Sequence, residues 1–173
     1  MPVQSVVIPS YQAQPEYQQA VAQLGRGVND FKAQQALEAS QYQGQFNQNA
    51  RRLGFNQSQK KFDPTIPNSD YGLATRANTA DFAGRGMTFS GENVRARDNI
   101  QNAFDTQITD LNRGQTDFLD TQRQAMRAYE TQQEAVRQQA QMAAIATIAA
   151  RFGIDLGQVP TGGSSTTIQQ EVP

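Results

Sequence analysis

No proline falls between Phe89 and Gly153, and through that run apolar residues recur three and four apart: Ile100, Phe104, Ile108, Leu111, Phe118, Ala125, Tyr129, Val136 and Ala143. That is the period of one helical face. Ser90 suits an N-cap, Phe89 and Val94 stand at the two positions of a hydrophobic staple, and Gly153 follows Phe152 as a stop. The spacing predicts one helix of about 62 residues, roughly 93 Å at ~1.5 Å per residue. Helices of compact domains run about 8–20 residues. A chain built on such a rod is expected to work through shape and assembly.

The seam of this helix is polar as well as apolar. The heptad frame set by Phe104, Ile108, Leu111 and Phe118 also selects Gln115, Gln122, Ala125, Tyr129, Gln132 and Val136. Polar seam residues cost stability but fix register and partner number. Two arrangements follow: a multi-chain bundle with amides bonded across its axis, or a solvated helix with one narrow stripe against a neighbour. From Gln139 onward the helix is apolar nearly all round, with Met142, Ile145, Ile148 and Phe152 among many alanines. A helix end of that kind is buried. Burial between chains is expected, since two helices and a connector offer little core of their own. Burial within one chain is the alternative.

The remaining segments are shorter. Residues 1–12 form an extended arm in which Pro2 and Pro9 bracket Val3, Val6, Val7 and Ile8. It is either a strand added to a partner's sheet or an unstructured terminus. Residues 13–54 read as a first long helix with Pro15 and Glu16 at its start. Tyr17, Val21, Leu24, Val28 and Phe31 mark its stripe, which resumes at Tyr42, Phe46, Ala50 and Leu53 after a break that is either a stutter or a place where Leu37 faces a different partner. Residues 55–88 are a connector rich in turn residues and aromatics. Short helices are expected over 69–77 and 79–83, packed on something, because a structureless loop this long is uncommon. Residues 154–173 are a tail ending in a short strand or in no structure.

Composition narrows the function. Lys and Arg number 15 against 16 Asp and Glu, giving a net charge of −1, so no basic field is available to hold nucleic acid. The chain has no Cys and no His. Thiol nucleophiles and disulfides are therefore excluded, and the commonest general base and metal ligand are missing. No phosphate-binding glycine loop, nucleophile elbow or zinc spacing is present. Neither catalysis nor a cofactor is expected. The apolar run Ala140 to Phe152 is too short to span a bilayer, which needs about 20 residues. Arg95 with Asp98, Asp110 with Arg113, Arg113 with Asp117, Asp120 with Arg123, and Glu134 with Arg137 sit three or four apart, as on a solvated face.

The segment Ala80-Asp81-Phe82-Ala83-Gly84-Arg85-Gly86-Met87-Thr88-Phe89-Ser90-Gly91-Glu92-Asn93 resembles a turn in small helical proteins of tailed bacteriophages. There an Arg-Gly-apolar turn ending in Ser-Gly precedes a long helix rich in Gln, Ala and Arg. The resemblance covers roughly residues 80–150, and beyond the turn it is compositional. It implies a virion structural role in several copies and carries over no catalytic residue. The expectation is an all-α, elongated protein: two long helices forming a coiled-coil-like hairpin, a partly helical connector and extended termini. It would be a tail, tail-tip or connector component whose partners are itself and other virion proteins, with termini clipped onto neighbours. The alternatives are an internal protein ejected with DNA, whose apolar segment meets a membrane, and a scaffolding or assembly factor.

Overall fold

The computed structural model describes the backbone of residues 3–171 and the side chains of residues 5–168. The described chain is mostly helical, with three α-helices, two of them long, and a few short strands. In order come β1 (Val3–Ile8), a 3-10 turn (Tyr11–Ala13), α1 (Pro15–Leu53), β2 (Phe55–Asn56), β3 (Lys61–Phe62), α2 (Asp70–Gly84), α3 (Gly91–Phe152), a second 3-10 turn (Leu156–Gln158) and β4 (Thr166–Glu171). Two compact units result. The first joins residues 1–34 to 124–173, and the second is 35–123. Both long helices contribute a segment to each unit.

The ends of the long helices follow local rules. Pro15 opens α1, Glu16 lies in its first turn, and Arg51 and Arg52 lie in its last. These charges oppose the helix dipole at each end. Gly54, at φ 91°, and Gly153, at φ 63°, take the left-handed conformation that stops α1 and α3.

In the first unit β1 pairs antiparallel with β4, from Val3 opposite Glu171 to Ile8 opposite Thr166. The N-terminal arm therefore finds its sheet partner in the chain's own tail, and the two segments expected to grip neighbours pair with each other along one edge. Ser10 caps the turn that follows and donates its hydroxyl to the Gly162 carbonyl. The core beneath is built from Ile8 and Ile148, both essentially inaccessible, with Tyr11, Tyr17, Ala144, Ile145, Ala149 and Val159. Burying an aliphatic side chain of this size contributes about 1.5–3 kcal/mol. Tyr11 and Tyr17 meet edge to face, with ring centres 5.0 Å apart. Tyr17 lies with Ala144 and Ile148 while Phe31 lies against Tyr129, so the two helical segments run antiparallel within this unit.

In the second unit the connector folds onto the helices. Its aromatics complete a core of Phe46, Ala50, Leu53, Phe62, Phe104 and Ile108, with Phe55, Tyr71 and Ile100 around it. Phe62 sits among Phe55, Tyr71 and Phe104 at centre distances of 5.3, 5.1 and 5.7 Å. The β2–β3 ribbon that carries Phe62 turns where the Asn56 side chain accepts from the amides of Ser58 and Gln59. Ser69 caps α2 by accepting from the Gly72 amide at 3.1 Å. Two short helices were expected here, yet α2 is continuous. The Thr79 hydroxyl donates back to the Thr75 carbonyl instead of capping a new helix.

Candidate interaction seam

Most residues selected by the heptad frame on α3 meet α1 of the same chain. In the second unit Phe104 and Ile108 are buried, and Leu111 packs beside them. Gln115 Nε2 donates to Gln43 Oε1 at 2.8 Å. Phe118 stacks on Tyr42, with ring centres 4.2 Å apart and planes 4° from parallel. Gln122 Nε2 donates to the main-chain carbonyl of Gln35 at 3.3 Å, and Gln35 Nε2 donates to that of Gln122 at 3.2 Å. In the first unit Tyr129 stacks on Phe31, again 4.2 Å apart, with planes 8° from parallel. Each stack is worth about 0.5–1.5 kcal/mol beyond its buried area. Within each unit, these residues face the α1 segment of the same chain.

Three predicted seam residues fall outside it. Ala125, Gln132 and Val136 are exposed, and Met126 and Gln133 take the inward places. A helix turns once in 3.6 residues, so a strict heptad frame drifts about 20° per heptad. From Phe104 to Val136, between four and five heptads, that drift adds up to roughly 90°, close to one residue's turn of the helix. Gln133 keeps a buried amide oxygen, Oε1, for which the described residues offer no hydrogen bond.

The apolar helix end is covered from within the chain on one face. Ile145, Ile148 and the partly buried Phe152 pack in the first unit's core beneath Ile8, Tyr11 and Val159. The expectation of burial between chains is corrected for that face. Met142 points the other way and is 59% exposed. The arm and the tail supply the cover that two helices alone lack.

The helix start also differs from expectation. Ser90 caps α3 through its hydroxyl, which accepts from the Asn93 amide at 3.2 Å. Phe89 and Val94 do not form the staple: Phe89 is fully exposed and Val94 is 57% exposed. Asn93 holds the inward position instead. Its Nδ2 donates to the Thr88 carbonyl and its Oδ1 accepts from Asn78 Nδ2. Gly86, at φ 68°, turns the chain ahead of this lock, and Arg85 lies over the Phe82 ring at 4.4 Å. The turn is held by side-chain and backbone bonds while its phenyl ring stands in water.

Reading by helical period also misses a repeat. At a spacing of 87 residues, Leu24, Arg26, Gly27, Asp30, Phe31, Gln35 and Tyr42 match Leu111, Arg113, Gly114, Asp117, Phe118, Gln122 and Tyr129. The matched residues play matched parts. In the first unit a Cβ on Gly27 would lie 2.8 Å from the Tyr129 hydroxyl. In the second a Cβ on Gly114 would lie 3.2 Å from the Tyr42 hydroxyl. Each tyrosine lays its hydroxyl over the glycine one turn before the phenylalanine it stacks on. Comparing the sequence with itself at fixed offsets would have found the signal.

Charge around the seam lies at the surface. Asp110–Arg113, Asp120–Arg123 and Glu134–Arg137 pair at 3.4, 2.7 and 4.0 Å, all well exposed, so each contributes little. Arg137 is pushed above its ordinary value, first by its hydrogen bond to Tyr17. Among the described residues no three His, Cys, Asp or Glu are grouped to hold a metal ion. No helix of the described residues is long and apolar enough to cross a membrane. Comparison with family models, curated proteins and solved structures finds no match.

Proposed function

We propose that this chain is a structural component of a tailed-phage particle, a helical tail, tail-tip or connector protein that assembles in several copies and links neighbouring particle proteins. In this reading α1 and α3 form one antiparallel hairpin, the protein acts without catalysis, and its partners are further copies of itself and other virion proteins. The observation that supports it most is the turn before α3. This is the segment that carries the phage resemblance, and its Phe89 is wholly exposed while Ser90 and Asn93 fix the backbone around it. A rigidly presented aromatic with little entropy to lose is the usual anchor of a protein contact.

The membrane alternative gains no support from the apolar helix end, because Ile145 and Ile148 are already covered by the arm and tail. The test is mass spectrometry of particles purified from the phage or prophage that encodes the chain. Peptides at several copies per mature particle are expected. Presence only in immature particles would replace this reading with the scaffolding one, and absence from both would end it.

A further inference from the structure

We infer that the α1–α3 seam is an interface between equals that a second copy of this chain can occupy: segments 24–42 and 111–129 are two copies of one self-complementary helical motif, and α1 of one molecule pairs with α3 of another through the contacts each makes internally. The inference deepens the self-assembling reading above and names its surface.

Each aromatic stack takes a phenylalanine from one copy of the motif and a tyrosine from the other, with the same 4.2 Å separation in both units. Gln35 and Gln122 are themselves equivalent positions, and each donates to the other's main-chain carbonyl. The two stacks and the glutamine pair are thus made in both directions by the same residue types. That is the property of a two-fold contact between identical chains, where residue i meets j and j meets i. Such a motif pairs with a second copy of itself wherever one is presented, on its own chain or on a neighbour's.

Exchange also preserves what the closed chain already has. A dimer that swaps α3 re-forms both stacks and the glutamine pair, along with the apolar contacts that flank them. Its cost is confined to the connector and to bringing two chains together. The seam between the stacks is amide-lined, so opening it exposes groups that water solvates well.

The chain has no cysteine, so single-cysteine variants report the pairing directly. Gln35→Cys and Gln122→Cys chains are mixed, unfolded, refolded together at high concentration and oxidised. The expected product is a disulfide-linked heterodimer joining position 35 of one chain to position 122 of the other, severalfold above the dimer formed by either variant alone. A main product joining two copies of position 122 would overturn the exchanged pairing. A heterodimer yield at the single-variant level would overturn the inference.

The unsubstituted chain gives a second readout, independent of any disulfide. Light and heavy-nitrogen copies refolded together should give mixed dimers by native mass spectrometry, and monomers alone up to the solubility limit would overturn the inference. A chain that exchanges helices yet is absent from particles would defeat only the phage reading.

Discussion

Gln35 and Gln122 hold each other through main-chain oxygens: each side-chain amide donates to the other residue's carbonyl, at 3.2 and 3.3 Å. The acceptors survive when either side chain is removed. Gln35→Ala and Gln122→Ala should therefore each cost about 0.5–1.5 kcal/mol. Unlike most touching pairs, they should also add in the double variant to within about 0.5 kcal/mol. Gln43 and Gln115 bond side chain to side chain, so losing either breaks the same bond and their cycle should show coupling. Urea unfolding of the four single and two double variants checks both statements. A strong coupling between Gln35 and Gln122 would mean that the side chains touch each other and not the backbone.

The glycines of the two long helices should divide by what lies over them. A Cβ at Gly44 meets nothing within 4 Å, so Gly44→Ala should stabilise the chain by up to about 1 kcal/mol. At Gly27 the new methyl would press on the Tyr129 hydroxyl at 2.8 Å, and the helix-propensity gain should be cancelled or reversed. Tyr129→Phe removes that oxygen and should restore the gain in the Gly27→Ala background. Thermal melts of the three variants decide it, and a Gly27→Ala as stable as Gly44→Ala would contradict the packing described.

The helix end should be asymmetric in its sensitivity. Ile148, at 1% exposure, packs with Ile8 and Tyr17, so Ile148→Ala should cost about 2–5 kcal/mol. Met142 faces solvent on the same helix, and Met142→Ala should change stability by less than about 0.5 kcal/mol in dilute monomer. Paired denaturation curves at low protein concentration are the check.

At the turn before α3, Asn93→Ala should cost about 1–3 kcal/mol, because it removes the two hydrogen bonds that the buried Asn93 side chain makes to Thr88 and Asn78. Phe89→Ser should leave the melting temperature of the monomer unchanged and weaken only contacts with other proteins. A large stability loss from Phe89→Ser would place that ring inside the molecule.

The connector carries a titration test. Asp63 is held below its usual value of 3.8, mainly by the hydroxyl and amide of Thr65. A carboxyl lowered in this way stabilises the fold above its unfolded value, and that contribution is lost as pH falls through the lower, folded one. Carbon-detected NMR should place its midpoint below 3.8, and Thr65→Val should move the midpoint upward. No movement would remove Thr65 as the cause.

Much of this fold is legible in the sequence, because its long helices are written in period and punctuation. Proline-free runs, Pro15, Ser90, Gly54 and Gly153 place the helix ends to within a residue or two. The stripe Tyr17, Leu24, Val28, Phe31 can be read from spacing alone. Other features depend on which surface finds which. Val6 and Ile168 become sheet partners across 162 residues, and nothing local in either strand names the other. Phe89 and Val94 obey the staple pattern, yet Asn93 wins the inward place because it can bond Thr88 and Asn78 there. Val136 drops out of the seam because the helix turns at its own period and not at that of a heptad. The repeat that builds the seam lies in the comparison of Gln35 with Gln122, not in either helix read alone.

The proposed role requires several copies of this chain acting together. Light scattering on the peak from size exclusion, with circular dichroism on the same fractions, tests it most directly. A strongly helical species is expected, with a mass that is a multiple of 19.1 kDa and rises with concentration. A helical peak fixed at the monomer mass at every concentration would contradict it.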